Sequence, residues 1–463
     1  MKKFFIPLCL AILISACTGS ASNSVAIVSG ELLNNSVTKV VLSCKGTELI
    51  ANVKDGKFEF QLDSLPGNYF KIQTELGSKD LFVEANDNIF ISIGPEKGEI
   101  KYTGKGHEES SYLIDRNLLW EKTGLADVRN FPKKLNSYEY QEFIMITDSI
   151  RNMQFALIDK YIKEFSGFNT EFVNIEKNIA LYKWMQHRFD YPKKHKKFTG
   201  NQARLADDYY SFVDNINTND TILNDLPEYK SLIIGLIEYR TTQTVGDVER
   251  ASPIDLLTAR YTHVRKEIRS ESFATRLAST ILNGHIGRFG IDGVDSVYND
   301  FLKVCENENM KNRMLNRYES WEHLKAGNKA PEFSINDGNS KEYHLSDFKG
   351  KYVYIAVLAS YNNSYKEVLP ELKELRTKLS RKNLEIITIS FDTNMDKWKK
   401  ILVPFQLKTI NLFAGSSKND FNEQYLSDRL PRYILIDKKG NLIHASANSP
   451  LEIEAELRKL LMN

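Results

Sequence analysis

Thiol chemistry would have to be done with very little sulfur here. Only 4 of the 463 residues are Cys, which excludes a disulfide-stapled scaffold and a multi-cysteine zinc array. A thiol serves as nucleophile or redox centre where its pKa is lowered and a resolving partner is in reach. Cys44 shares an expected strand face with Val40 and Leu42, and Cys305 follows Phe301, Leu302 and Val304. Both therefore read as small buried hydrophobes. A Cys44–Cys305 disulfide needs a proximity that sequence does not establish. The eight His are scattered from His107 to His444, and no His-Glu-x-x-His, P-loop, Gly-x-Ser-x-Gly or EF-hand pattern occurs. Gly284, Gly287 and Gly290 have the wrong spacing for a dinucleotide fingerprint and follow a helix. No metal and no cofactor are expected.

Net charge narrows the partners. With 62 Lys plus Arg against 60 Asp plus Glu, there is no basic excess, and nucleic acid is not an expected ligand. A hydrophobic fraction of 42% with 24 Gly and 12 Pro describes a folded chain, long enough for several domains.

The elements that would position any site fall into three compositions. From Val25 to about residue 103, short alternating runs (Val40–Leu42, Phe58–Phe60, Tyr69–Ile72, Ile89–Ile93) are broken at Lys54-Asp55-Gly56, Leu65-Pro66-Gly67 and Ala85-Asn86-Asp87. This spacing predicts a small all-β sandwich. From 104 to 326 the period becomes helical. Phe143, Ile146, Ile150, Met153 and Leu157 form one apolar stripe, and further helices are expected over Glu171–Arg188, Ala203–Asn215, Glu228–Thr241, Pro253–Ile268, Phe273–Leu282 and Val294–Cys305. Tyr182–Phe198 mixes aromatic and basic residues, and His187 and His195 within it are read as solvated.

From 327 to 463 a third pattern begins. Strands are expected at Phe333–Asn336, Glu342–Leu345, Lys351–Ala359, Leu384–Ser390, Tyr433–Asp437 and Asn441–His444. Helices are expected at Lys366–Leu379, Met395–Ile401 and Leu451–Leu461. The run at Lys351–Ala359 is apolar on both faces, as a central strand covered by helices should be. The order β-α-β then β-β-α is an α/β thioredoxin-like arrangement.

Two resemblances follow from particular residues. Lys2 and Lys3, the apolar run Phe4–Ile14 and the small residues Ser15 and Ala16 describe a secretion signal over 1–16. Ile14-Ser15-Ala16-Cys17 resembles the lipobox of bacterial lipoproteins. That resemblance implies cleavage before Cys17, a diacylglyceryl group on its sulfur and a further acyl chain such as palmitate on its amine. The lipid bilayer is then a partner through Cys17, with 17–24 as anchor and tether. Cleavage removes two basic residues and leaves the mature chain formally neutral. The tether lacks the acidic cluster that, in some Gram-negative lipoproteins, directs export to the cell surface. The expected location is the cell envelope, periplasm-facing, on the outer membrane. Asp63-Ser64-Leu65, Asp148-Ser149-Ile150, Asp220-Thr221-Ile222 and Asp295-Ser296-Val297 resemble a short O-glycosylation sequon of bacterial envelope proteins.

Gly327-Asn328-Lys329-Ala330-Pro331-Glu332-Phe333, Leu345-Ser346-Asp347-Phe348-Lys349-Gly350-Lys351, Leu358-Ala359-Ser360-Tyr361, Pro370 and Leu430-Pro431-Arg432-Tyr433 resemble, in order, the TlpA-type and peroxiredoxin-like thioredoxin families. A β domain often precedes that fold in envelope lipoproteins. In the family an aromatic-Cys-x-x-Cys motif opens the helix, five residues before a proline. Counting from Pro370 assigns the two cysteine positions to Asn362 and Tyr365, the aromatic position to Tyr361 and the intervening pair to Asn363 and Ser364. An amide and a phenol cannot form a disulfide, and no cysteine occurs in 326–463. The resemblance further implies a cis Leu430–Pro431 bond whose backbone faces an extended peptide, flanked by Tyr361, Tyr365 and Arg432. A vestigial or covered face stands level with that reading.

The leading expectation is a membrane-anchored envelope lipoprotein whose redox-inactive thioredoxin-like domain binds a polypeptide, with no catalytic residue. Two alternatives stand beside it. One is a thiol-disulfide oxidoreductase using Cys44 or Cys305, and the other is a structural subunit of an envelope complex.

Overall fold

The structure is a computed structural model that describes residues 25–33, 37–65, 68–94, 99–220, 223–248, 250–379, 383–427 and 429–462. The signal sequence, Cys17 and the tether lie outside the described residues, as do Pro66, Gly67, Thr221 and Ile222. The chain divides into two compact units between Tyr210 and Ser211. The division falls inside the expected helical stretch rather than at either end of it.

The first unit opens with strands β1 (Ala26–Leu32), β2 (Lys39–Cys44), β3 (Thr47–Asn52), β4 (Lys57–Leu62), β5 (Tyr69–Thr74), β6 (Gly77–Phe82), β7 (Asn88–Ile93) and β8 (Ile100–Lys105). They form two four-stranded sheets, ordered β4-β1-β7-β8 and β3-β2-β5-β6. Alternation drives this: Val28, Val40, Leu42, Phe58, Phe60, Ile72, Ile89 and Ile91 of both sheets enter one core, Cys44 among them. Asp55 and Gly56 both take positive φ (50° and 73°), the turn that best matches the twist of a two-residue hairpin.

Helices α1 (Glu108–Thr123), α2 (Phe131–Ser137), α3 (Tyr140–Glu164) and α4 (Thr170–Thr199) complete this unit. Phe82, at the end of β6, packs with Tyr112, Ile158 and Phe172 and so ties the helices to the sheet. The Arg116 guanidinium donates to both Glu176 oxygens (2.9 and 3.1 Å) and to Asp80 (3.0 Å). The buried stripe of α3 differs from the expected one, running through Phe143, Thr147, Ile150, Gln154, Ile158 and Tyr161, while Met153 is exposed. Its two polar members are satisfied: Thr147 donates to the Phe143 carbonyl (2.9 Å) and Gln154 accepts from Trp120 Nε1 (3.1 Å).

Helix α4 extends past Arg188 and through Pro192 to Thr199. Tyr191 stacks on Phe143 with centroids 3.9 Å apart, and His195 Nδ1 meets the Asn136 carbonyl at 3.0 Å. Packing therefore carries the helix across a proline that would otherwise end it. His195 is buried and His187 half-buried rather than solvated, and desolvation lowers the His187 pKa to about 4. Residues 203–210 form no helix, and only a short 3-10 turn occurs at Ser211–Asn215.

The second unit begins with α5 (Pro227–Val245), α6 (Pro253–Glu267), α7 (Glu271–Phe289), α8 (Asp295–Val304) and α9 (Glu308–Glu319), packed in succession with α7 against both α8 and α9. Cys305 follows α8, buried, its Sγ 3.6 Å from the Asn307 carbonyl. Cys44 and Cys305 are both free.

The hairpin β9 (Ser334–Asn336) and β10 (Glu342–His344) leads into β11 (Tyr352–Leu358), α10 (Tyr365–Lys378), β12 (Leu384–Ser390), α11 (Met395–Leu402), β13 (Ile410–Phe413), α12 (Asp420–Tyr425), β14 (Arg432–Ile436), β15 (Leu442–His444) and α13 (Glu454–Met462). The five-stranded sheet runs β13-β12-β11-β14-β15. Strands β11, β12 and β13 are parallel, and β14 is antiparallel to β11 and β15. Leu369 and Leu372 of α10 and Leu457 of α13 share a core with Tyr354, Ala356 and Leu435 of the sheet. Strand β13 and helix α12 have no counterpart among the sequence expectations. Among the described residues no helix is long and apolar enough to cross a membrane.

Candidate functional site

Strand β11 ends at Leu358, and the chain turns through Ala359–Ser364 before α10 begins at Tyr365. A buried carboxylate fixes that turn. Asp392, just beyond β12, accepts from Ser360 N (2.9 Å), Ser360 Oγ (2.5 Å) and Ser390 Oγ (2.7 Å). It is 7% exposed, and several donors are what a buried carboxylate requires. Ser360, Ser390 and Asp392 were not singled out from sequence. Their one signal is polar residues at the carboxyl ends of two apolar parallel strands, where α/β sheets place their sites.

Asn362 makes the next set of bonds. Its Oδ1 accepts from Ser364 N (3.2 Å) and Ser364 Oγ (2.8 Å), and its Nδ2 donates to the Leu430 carbonyl. The side chain thus holds the first turn before α10 to the loop that precedes β14. The Leu430–Pro431 bond is cis. A local Asn bond to its own turn is a common helix-entry device; the reach to Leu430 is not local at all.

The remaining expected site residues separate. Tyr361 is 68% exposed and Asn363 is exposed beside it. Partial burial, with the Asp392 charge, raises the Tyr361 phenol, so it stays protonated. Tyr365 is half-buried and packs against the α10 core instead of standing free on the surface. Arg432 does not flank an open face: it is 2% exposed, lies 4.7 Å above the Trp321 ring, and donates to the Arg288 carbonyl at 2.9 Å. Its neighbour Arg429 reaches the Gly284 carbonyl (3.5 Å). The C-terminal end of α7 therefore covers the side chain of the residue after Pro431, and a cation at the negative end of a helix dipole is favoured there.

Little space lies behind the turn. The hollow lined by Leu358, Ser360, Tyr365, Asp392 and Trp398 holds about 20 Å³, room for about one water. Among the described residues no group of three His, Cys, Asp or Glu could hold a metal. The site offers an amide, hydroxyls and a carboxylate engaged by three donors, groups that can bind and orient.

Sheet order, the helix after the central strand and the cis proline opposite it define the C-terminal domain as thioredoxin-like. A thioredoxin-like family model matches residues 350–442. The chain is similar to the thiol-disulfide oxidoreductase ResA of Bacillus thuringiensis subsp. konkukian, 28% identical over 141 residues that make up 30% of this chain and 80% of the relative. The ResA protein of Bacillus anthracis is 26% identical over the same shares. Among solved structures, a thiol-disulfide oxidoreductase from Bacteroides fragilis is 23% identical, covering 28% of this chain and 98% of that one, with a TM-score of 0.27.

Proposed function

We propose that this chain is an envelope lipoprotein, anchored through acylated Cys17 and facing the periplasm, whose thioredoxin-like domain grips a polypeptide without exchanging electrons. The observation that carries this reading is Asn362, which holds the position implied for the first thiol and is bonded to the loop opposite. Its amide cannot become the thiolate that disulfide exchange begins with. The oxidoreductase names of the relatives describe a chemistry for which residues 306–463 supply no thiol. Cys44 does not substitute for it, since burial raises its pKa and a buried thiol of that kind is inert.

The geometry also shifts the form of the grip. The Leu430 carbonyl already accepts from Asn362, so backbone pairing with an added strand is weakened at that residue. Tyr361 and Asn363, exposed at the tip of the turn, are the side chains left to make contact. An exposed aromatic with two torsions is a low-entropy anchor of the kind enriched in interfaces.

Photo-crosslinking tests this. With benzoylphenylalanine at position 361 in native membranes, one polypeptide should be trapped reproducibly, and not from Lys373, which is also exposed. Equal labelling from both positions, or none from 361, overturns the binding role and leaves a spacer.

A further inference from the structure

We propose that the hollow at one end of the N-terminal β domain takes an acyl chain of the surrounding bilayer lipids, an inference that rests on the lipid-anchored reading above. The hollow has a volume of about 270 Å³ and is walled by Leu42, Leu49, Leu62, Leu65 and Phe70. Leu42, Leu62 and Phe70 are themselves core residues, between 1% and 4% exposed. Leu42 and Phe70 belong to one sheet and Leu62 to the other, so the opening runs between the sheets and is not a dimple on one of them. Leu49, 38% exposed on the edge strand β3, is its most open apolar wall. Apolar walls with few polar groups are the usual composition of a small-ligand cleft.

The occupant follows from where the chain enters. Ala26, the first residue of β1, is paired with Leu62, so the segment before it joins the domain beside the wall of the hollow. Cys17 lies eight residues before Val25, a span of at most about 30 Å and on average about 16 Å for a flexible polar linker. An acylated Cys17 therefore keeps this end of the domain at the bilayer surface, where lipid chains are the apolar groups at high effective concentration. Thr47 and Ser64 supply hydroxyls at the hollow. The exposed charges nearby are mixed, Lys45 against Glu48 and Asp63, so selection rests on the chain and not on the headgroup.

The full chain in vesicles of phosphatidylethanolamine and phosphatidylglycerol, doped with a phospholipid bearing a diazirine in its acyl chain, tests the proposal. Irradiation should place adducts on residues 42–49 and 62–70, reduced at least fivefold in Leu49→Asp, a substitution at an exposed position. Vesicle flotation reports the anchor separately. A chain that floats without adducts there, with none in the Cys17→Ser chain either, overturns the hollow and leaves the anchor reading standing. A chain that does not float overturns the anchor reading, and the Cys17→Ser chain with diazirine decanoate then decides the hollow: the same adducts support it and their absence overturns it. Adducts in the Cys17→Ser chain alone mean that the protein's own acyl group fills the space, which overturns bilayer lipid as the source.

Discussion

Asn362 donates its side-chain amide to the main-chain carbonyl of Leu430, bridging the turn before α10 and the cis-proline loop before β14. The bond joins residues far apart in sequence and satisfies a carbonyl beside a part-buried loop. Asn362→Ala should cost about 1 kcal/mol, the net worth of one such bond, read as a lower urea midpoint with unchanged slope. Amide exchange at Ser364 should also accelerate, because its N–H loses the Asn362 oxygen.

Arg432 is a structural cation and not part of an exposed binding rim. Arg432→Ala should destabilise the second unit by roughly 3 kcal/mol, through the opened volume beside Trp321 and the lost bond to the Arg288 carbonyl, which then keeps only the Ser446 hydroxyl. Arg432→Lys should recover little, since an ammonium lacks the planar face that lies over Trp321. Urea unfolding of the three proteins checks both statements; equal stability of the Lys variant and the parent would contradict the second.

The Arg116–Glu176 pair is 2.9 Å long with both side chains largely buried. Removing one partner leaves a buried charge, so Glu176→Ala should cost about 3–5 kcal/mol. The double variant Arg116→Met, Glu176→Leu should be much closer to the parent. A double-mutant cycle measures the coupling.

Acid should weaken both units. Burial holds His187 and His285 at about 4, below the ordinary 6.5. Asp190 opposes the shift at His187 while Lys183 and Lys194 add to it, and Arg260 adds to it at His285. Between those values the unfolded chain binds protons that the folded chain does not, so stability falls as pH drops from about 6.5 towards 4. The loss is roughly 3 kcal/mol per histidine when complete. His285→Gln should flatten this dependence, and urea midpoints at pH 7 and pH 5 measure it.

Much of the fold was legible because burial writes itself into pattern. The seven residues Leu384–Ser390 form β12 as expected, and all seven are buried. Strand β13 escaped notice because four residues, Ile410–Phe413, carry too short a period. The continuation of α4 through Pro192 was hidden because local rules favour a stop there, while Tyr191 and His195 gain their partners from distant residues. The same reason conceals the burial of Arg432: nothing near it in sequence announces Trp321 or the end of α7. In the candidate site the turn from Tyr361 to Tyr365 and the Leu430–Pro431 pair were readable from residue order. The bond between Asn362 and Leu430 was not, because it exists only once β11 and β14 are paired.

Turnover of a disulfide substrate tests the absence of redox chemistry most directly. The full chain, assayed for insulin reduction beside a Cys44→Ser, Cys305→Ser variant, should match that variant at the uncatalysed rate. Reduction above that baseline, lost on Asn362→Ala or on removal of either thiol, would contradict the account.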